Sequence, residues 1–122
     1  MISRTGKGRK GENAAAEFLK KKGYKLITRN FRWRGGEIDL IFVRKKTLIF
    51  VEVRSFSANS MGIEPIETIG PSKVEKLLKT AMVFVEAHPE FQGYDLRFDA
   101  IGVKFNRNGV EFNHIENAIR KE

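Results

Sequence analysis

Three residues have the types and spacing to do chemistry together: Asp39, Glu52 and Arg54. Asp39 lies in Gly36-Glu37-Ile38-Asp39-Leu40-Ile41-Phe42-Val43, and the other two end Leu48-Ile49-Phe50-Val51-Glu52-Val53-Arg54, across the short basic stretch Arg44 to Thr47. Both segments read as apolar strands joined by a turn. With the turn centred between Lys45 and Lys46, Val43 falls opposite Leu48, Ile41 opposite Phe50, Asp39 opposite Glu52 and Glu37 opposite Arg54. Directly opposed residues share a face with Cβ atoms about 5 Å apart, and strand side chains repeat every second residue. Asp39, Glu52 and Arg54 are therefore expected side by side. The other face carries Ile38, Leu40, Phe42, Ile49, Val51 and Val53. A hairpin apolar on both faces belongs in the middle of a sheet, where two facing carboxylates repel and are costly to bury unpaired. A hard divalent ion, Mg²⁺ or Mn²⁺, resolves that conflict by taking carboxylate oxygens and keeping several waters. The alternative is a wet sheet end, with Asp39 paired to Arg54 and Glu52 to a lysine.

The elements that must position these groups come from one domain of 122 residues, long enough to bury a core. Hydrophobic residues make up 41% and charged residues 31%, ordinary for a globular chain. There is no cysteine, which excludes disulfides, thiolate metal sites and a cysteine nucleophile. No run resembles a signal peptide or a membrane span, so a cytoplasmic protein with no membrane partner is expected. The net charge of +8 predicts attraction to polyanions, nucleic acid above all.

Met1 to Lys10, with Arg4, Lys7, Arg9 and Lys10, reads as a flexible basic arm or a frayed helix start. Gly11 to Lys22 is helical in pattern, with an Ala14, Ala15, Phe18, Leu19 stripe and Gly23 as the closing residue. Glu12 sits in its first turn, where the helix dipole alone favours a carboxylate. Tyr24 to Thr28 reads as a short strand. Arg29 to Gly36 then alternates cations with aromatics, and is read as an edge strand with Phe31 and Trp33 in the core and Arg29, Arg32 and Arg34 as phosphate candidates. Ser55 to Gly70 reads as a long surface loop. A helix follows, with Ser72 and Glu75 at capping-box spacing and a stripe of Val74, Leu77, Leu78, Ala81, Met82 and Val85. Lys73, Lys76 and Lys79 line a polar side that is either solvated or phosphate-facing. Tyr94 to Phe105 alternates as a strand that puts Asp99 opposite to Leu96 and Phe98, directed at the carboxylate pair or at water. Asn108-Gly109 signals a hairpin into Val110 to Ile115, His114 has no second histidine at ligand spacing, and Glu116 to Glu122 is expected to be a short helix.

The order helix, strand, strand, helix, strands, with Asp39 followed by Glu52-Val53-Arg54, resembles the PD-(D/E)xK nuclease superfamily. The chain is more similar still to the YraN family of small bacterial proteins. The residues that carry this are Gly11-Glu12, Gly23-Tyr24, Arg29-Asn30, Gly36-Glu37-Ile38-Asp39-Leu40-Ile41, Phe50-Val51-Glu52-Val53-Arg54 and Arg97-Phe98-Asp99, spanning residues 11 to about 103. The resemblance implies an α/β, restriction-endonuclease-like core, a central mixed sheet flanked by helices. It implies that Asp39 and Glu52 hold Mg²⁺ or Mn²⁺, that Glu12 completes the site, and that the Val53 carbonyl ligates. Arg54 takes the position of a lysine beside the attacking water. Unlike lysine, arginine does not give up its proton, its pKa being above about 12, so Arg54 is suited to orient water or to stabilise charge as a fixed cation.

The function expected is a Mg²⁺-dependent nuclease hydrolysing DNA phosphodiester bonds at branched or single-stranded structures. Arg29, Arg32, Arg34, Lys73 and Lys76 would hold the backbone. The alternatives are a nucleic-acid-binding module without turnover, motivated by Arg54, and a protein–protein interaction domain. A homodimer would suit a resolvase-like activity, though nothing in the sequence demands one.

Overall fold

The computed structural model describes residues 7–56 and 69–119. Helix α1 (Lys7–Lys21) leads into a meander of β1 (Lys25–Trp33), β2 (Gly36–Arg44) and β3 (Thr47–Phe56). Helix α2 (Pro71–Ala87), a single 3₁₀ turn (Pro89–Phe91), β4 (Asp95–Asn106) and β5 (Gly109–Ile115) follow. The five strands form one sheet in chain order. β3 and β4 run parallel and every other neighbouring pair is antiparallel. A parallel pair needs a crossover, and α2 lies within it. This mixed sheet between two helices is the α/β arrangement of a restriction-endonuclease-like core.

The middle strands are apolar on both faces because both are covered. Ala15, Ala16 and Leu19 of α1 pack on Leu40, Phe42, Ile49, Val51, Ile101 and Val103. Leu77, Ala81 and Phe84 of α2 pack on Ile41, Leu48 and Phe50 from the other side. Helix α1 closes on Gly23 at φ 95°, with the Tyr24 amide donating to the Leu19 carbonyl and the Gly23 amide to Lys20. This is the glycine-dependent closure the sequence signals.

Several local expectations are corrected. Of the two readings of the basic arm, Lys7 to Lys10 follow the helix start, and residues 1–6 lie outside the described residues. Helix α2 starts at Pro71 behind an N-cap glycine, Gly70, that offers no side-chain bond. Proline prefers the first helical position, so Ser72 falls inside the first turn instead of capping it. Trp33 is 36% exposed and not in the core. The turn into β5 is Arg107-Asn108, with Gly109 already paired to Asn106. No helix follows β5 through Ile119. There Asn117 turns to φ 53°, outside the helical region, with its amide donating to the Asp99 carboxylate and the Ile119 amide to the Phe98 carbonyl. Residues 57–68, where most of the expected surface loop falls with Glu64 and Glu67, and residues 120–122 lie outside the described residues.

Candidate active site

The expected hairpin register holds from Arg44↔Thr47 to Leu40↔Val51, with Ile41 opposite Phe50 and Val43 opposite Leu48. The β2–β3 ladder stops at that point, one position short of Asp39 and Glu52. Beyond it β2 continues only against β1, and β3 only against β4. The strands have parted, and the Asp39 side chain fills the gap by accepting the Val53 amide at 2.8 Å. The face alternation of β2 also breaks here. Ile38 packs with Ile41 on the α2 side, not with Leu40 and Phe42 as strict alternation requires. Asn30, in the neighbouring strand, sits at φ 52°, a conformation that asparagine tolerates better than most residues.

The parted strands and the start of α2 enclose a cavity of about 560 Å³, lined by Gly35, Gly36, Glu37, Asp39, Glu52, Val53, Arg54, Gly70, Ser72, Lys73, Lys76 and Leu77. Asp39 and Glu52 are both buried, at 5% and 4% exposure. Glu52 is met by the Arg54 guanidinium at 3.3 Å and by the Lys73 ammonium at 3.1 Å. The Nε of Arg54 is buried with no hydrogen-bond partner among the described residues. The uncapped first turn of α2 adds the positive end of its dipole to the same wall. Two buried carboxylates, with Glu37 beside them, therefore share a concave site with three cationic side chains. Gly36 lets α2 come this close, because a Cβ there would run into Thr80 Oγ1.

The other expected site residues are distributed as follows. Glu12 is buried at 5% but does not line the cavity. Asn30 Nδ2 donates to it at 3.2 Å and to Glu37, a lining residue, at 3.0 Å, linking it to the site through one amide. Glu37 is bonded to Arg32 at 3.4 Å rather than set against Arg54. Arg29 donates to Asn13 of α1 at 2.6 Å, and the Arg34 guanidinium lies 5.1 Å over the Trp33 ring. Lys73 and Lys76 line the cavity, whereas Arg29, Arg32 and Arg34 do not.

Asp39 and Glu52 are hard oxygen donors of the kind Mg²⁺ and Mn²⁺ take. The Val53 carbonyl leaves its strand toward the same edge as its amide, which points at Asp39. This set fits a hydrated ion completed by substrate oxygens. It does not make an all-protein cage, since no group of three or more His, Cys, Asp or Glu that could hold a metal occurs among the described residues.

A second buried constellation, not assembled from the sequence, lies on the α1 side of the sheet. Asp99 is fully buried there. Arg97 donates to both its oxygens at 2.9 Å, the Asn117 amide to one at 2.9 Å, and His114 Nε2 lies 2.9 Å from the other. Lys22 Nζ stands 2.9 Å from His114 Nδ1. An ammonium only donates, so Nδ1 accepts and Nε2 carries the proton toward Asp99. Arg97 also donates to the Tyr24 hydroxyl at 2.7 Å. Burial alone would push the Asp99 carboxyl up, but the bonds from His114, Arg97 and Asn117 and the charge of Arg97 hold it below its ordinary value. Its bond to Asp99 raises the Arg97 guanidinium, and burial raises the Tyr24 phenol. Asp99 thus approaches neither water nor the carboxylate pair. The available signal was Arg97-x-Asp99 on one face of a strand otherwise apolar around it.

The model of the uncharacterised protein family UPF0102 matches residues 11–103. A UPF0102 protein of Coxiella burnetii is 38% identical over 123 residues, covering 100% of this chain and 99% of its own length. One from Caldanaerobacter subterraneus is 40% identical over 115 residues, 92% of this chain and 93% of its own. One from Persephonella marina is 40% identical over 113 residues, 93% of this chain and 92% of its own.

Proposed function

The chain belongs to the uncharacterised protein family UPF0102, also called YraN, and we propose that it is a Mg²⁺- or Mn²⁺-dependent nuclease of the PD-(D/E)xK type acting on DNA in the cytoplasm. The observation that carries this reading is the convergence of buried Asp39 and Glu52 with Arg54, Lys73 and Lys76 on one cavity. Asp39, Glu52 and the Val53 carbonyl would hold the ion, with Glu12 acting on the site through Asn30 and Glu37. When bound, a divalent ion there lowers the pKa of its water and draws charge off the phosphate. Lys73, Lys76 and the open amides of α2 hold the phosphate backbone. Arg54 donates from a fixed position to the attacking water or to the phosphoryl oxygens on which charge develops. No helix among the described residues is long and apolar enough to cross a membrane.

The test is calorimetric titration of Mn²⁺ into wild type and into the Asp39→Ala/Glu52→Ala double variant, followed by cleavage screens over branched, single-stranded and duplex DNA. Heat from wild type alone, with cleavage lost in a folded Asp39→Ala protein, is the expected result. Equal cleavage by both proteins identifies a contaminant and ends the proposal. A second reading, a nucleic-acid-binding module without turnover, is favoured by the pairing of Glu52 with Arg54 and Lys73, which neutralises it internally. It expects salt-sensitive DNA binding with no product under any divalent ion.

A further inference from the structure

Trp33 is the only tryptophan of the chain. It closes β1, pairs with Gly36 across a two-residue turn, and is 36% exposed. Strand alternation sends its ring from the same face as Phe31. The Phe31 ring is covered by Phe84 of α2 at 5.2 Å, whereas a third of Trp33 is left to solvent. The turn beyond it is the rim of the cavity: Gly35 and Gly36 line the opening, and a Cβ on Gly35 would stand 3.9 Å from Lys76 Nζ. Arg34, at φ 43°, brings its guanidinium to 5.1 Å over the indole. An exposed indole with a stacked arginine thus borders the carboxylates and lysines of the site.

We propose that Trp33 and Arg34 form a stacking subsite for an unpaired nucleobase whose neighbouring phosphate lies against Lys73 and Lys76. The subsite rests on the nuclease reading for its context and narrows its substrate class. In a paired duplex the faces of the bases are taken by their neighbours. A base offered to Trp33 must come from a single strand, a branch point or a frayed end. Indole and guanidinium planes stack on any base, so the subsite selects for unpaired structure and not for sequence. Arg34 and Gly35, both at positive φ, form the primed two-residue turn that places Trp33 and Arg34 side by side at the rim.

The indole itself reports on the proposal. The full chain is titrated with short oligothymidylate and, separately, with a fully paired duplex, in Ca²⁺. Tryptophan emission and the anisotropy of a label on the DNA are both read. Oligothymidylate is expected to quench Trp33 as it binds, and the duplex to bind with little quenching. Trp33→Ala should lose about five- to 150-fold in affinity for oligothymidylate with duplex affinity nearly unchanged. Trp33→Phe, which keeps a stacking ring should alanine disturb the hairpin, should retain most of the affinity. Anisotropy showing tight oligothymidylate binding while the indole is silent overturns the subsite. So does an equal loss for both ligands in Trp33→Ala. A protein that cleaves in an Asp39-dependent way with a silent indole loses the subsite and keeps the nuclease reading. One that quenches normally and cuts nothing under any divalent ion loses the nuclease reading and keeps the subsite. Absence of binding at low salt removes both.

Discussion

Two clusters of buried carboxylates sit on one sheet and are built in opposite ways. At Asp99 the donors are supplied by the fold: a strand arginine, a buried histidine and a main-chain amide surround a carboxylate with no exposed surface. At Glu52 they come from two elements facing a cavity, and the side chains of Arg54 and Lys73 are 26% and 45% exposed. Of the side chains that bind Asp99, His114 is 4% exposed and Arg97 23%, so water reaches this cluster through Arg97 alone of the two. The second cluster is held by groups that solvent also reaches, so a ligand can rearrange them. Burial of the carboxylate is nearly the same in both. What separates a structural cluster from a reactive one here is how many of its partners remain in contact with water.

That contrast can be broken most directly at Asp99. Asp99→Ala takes from the part-exposed Arg97 and the buried His114 the acceptor they share and should cost about 3 kcal/mol, read as a shift in urea midpoint. A loss under about 1 kcal/mol would place the network among surface pairs. Acid tests the same point in the wild type. The folded Asp99 carboxyl lies below its ordinary value of 3.8, so its contribution is complete above that pH and drains away as pH falls through the lowered value. Urea midpoints taken across this range should fall more steeply for wild type than for Asp99→Asn.

Gly36→Ala sharpens the comparison from the cavity side. It should cost about 1–3 kcal/mol by pressing on Thr80, and the added change Thr80→Ala should recover part of it, a coupling visible in a double-mutant cycle. The smallest change in stability is expected for Glu52→Gln, within about 1 kcal/mol, because its cations can turn to water. Its cleavage rate should nevertheless fall about a thousandfold, equivalent to about 4 kcal/mol of transition-state stabilisation. If Glu52→Gln unfolds the protein as readily as Asp99→Ala, the two clusters are of one kind.

The meander was readable because its signals are local. Alternating apolar residues around Arg44 to Thr47 set the β2–β3 register through Leu40↔Val51. The same residues, apolar on both faces, anticipated a covered central pair. The parting of the strands was not readable, since it depends on Asp39 capturing the Val53 amide and on Asn30 leaving the usual strand conformation. Trp33 misled because aromatic character marks a core only where a helix lies over the strand, and α2 covers Phe31 instead. The Asp99 cluster was hidden for a different reason. Its members, Lys22, Tyr24, Arg97, His114 and Asn117, come from three separate stretches of the chain, and each alone reads as an ordinary solvated residue. The lysines of α2 carried the right charge, but only the packing of that helix against Gly36 brings Lys73 to Glu52.

The parallel pairing of β3 with β4, from Thr47↔Asp95 to Phe56↔Lys104, has a consequence for the newly made chain. The β1–β2–β3 meander can zip up from neighbouring residues as soon as it is synthesised. The β3–β4 ladder must wait until α2 and the residues after it have been added, because its two strands are far apart in the chain. During that interval β3 presents an unpaired, strongly apolar edge, the kind of surface on which nascent chains aggregate. Arg54 at the far end of that strand, and the charged Arg44, Lys45 and Lys46 at its near end, act as gatekeepers until β4 arrives.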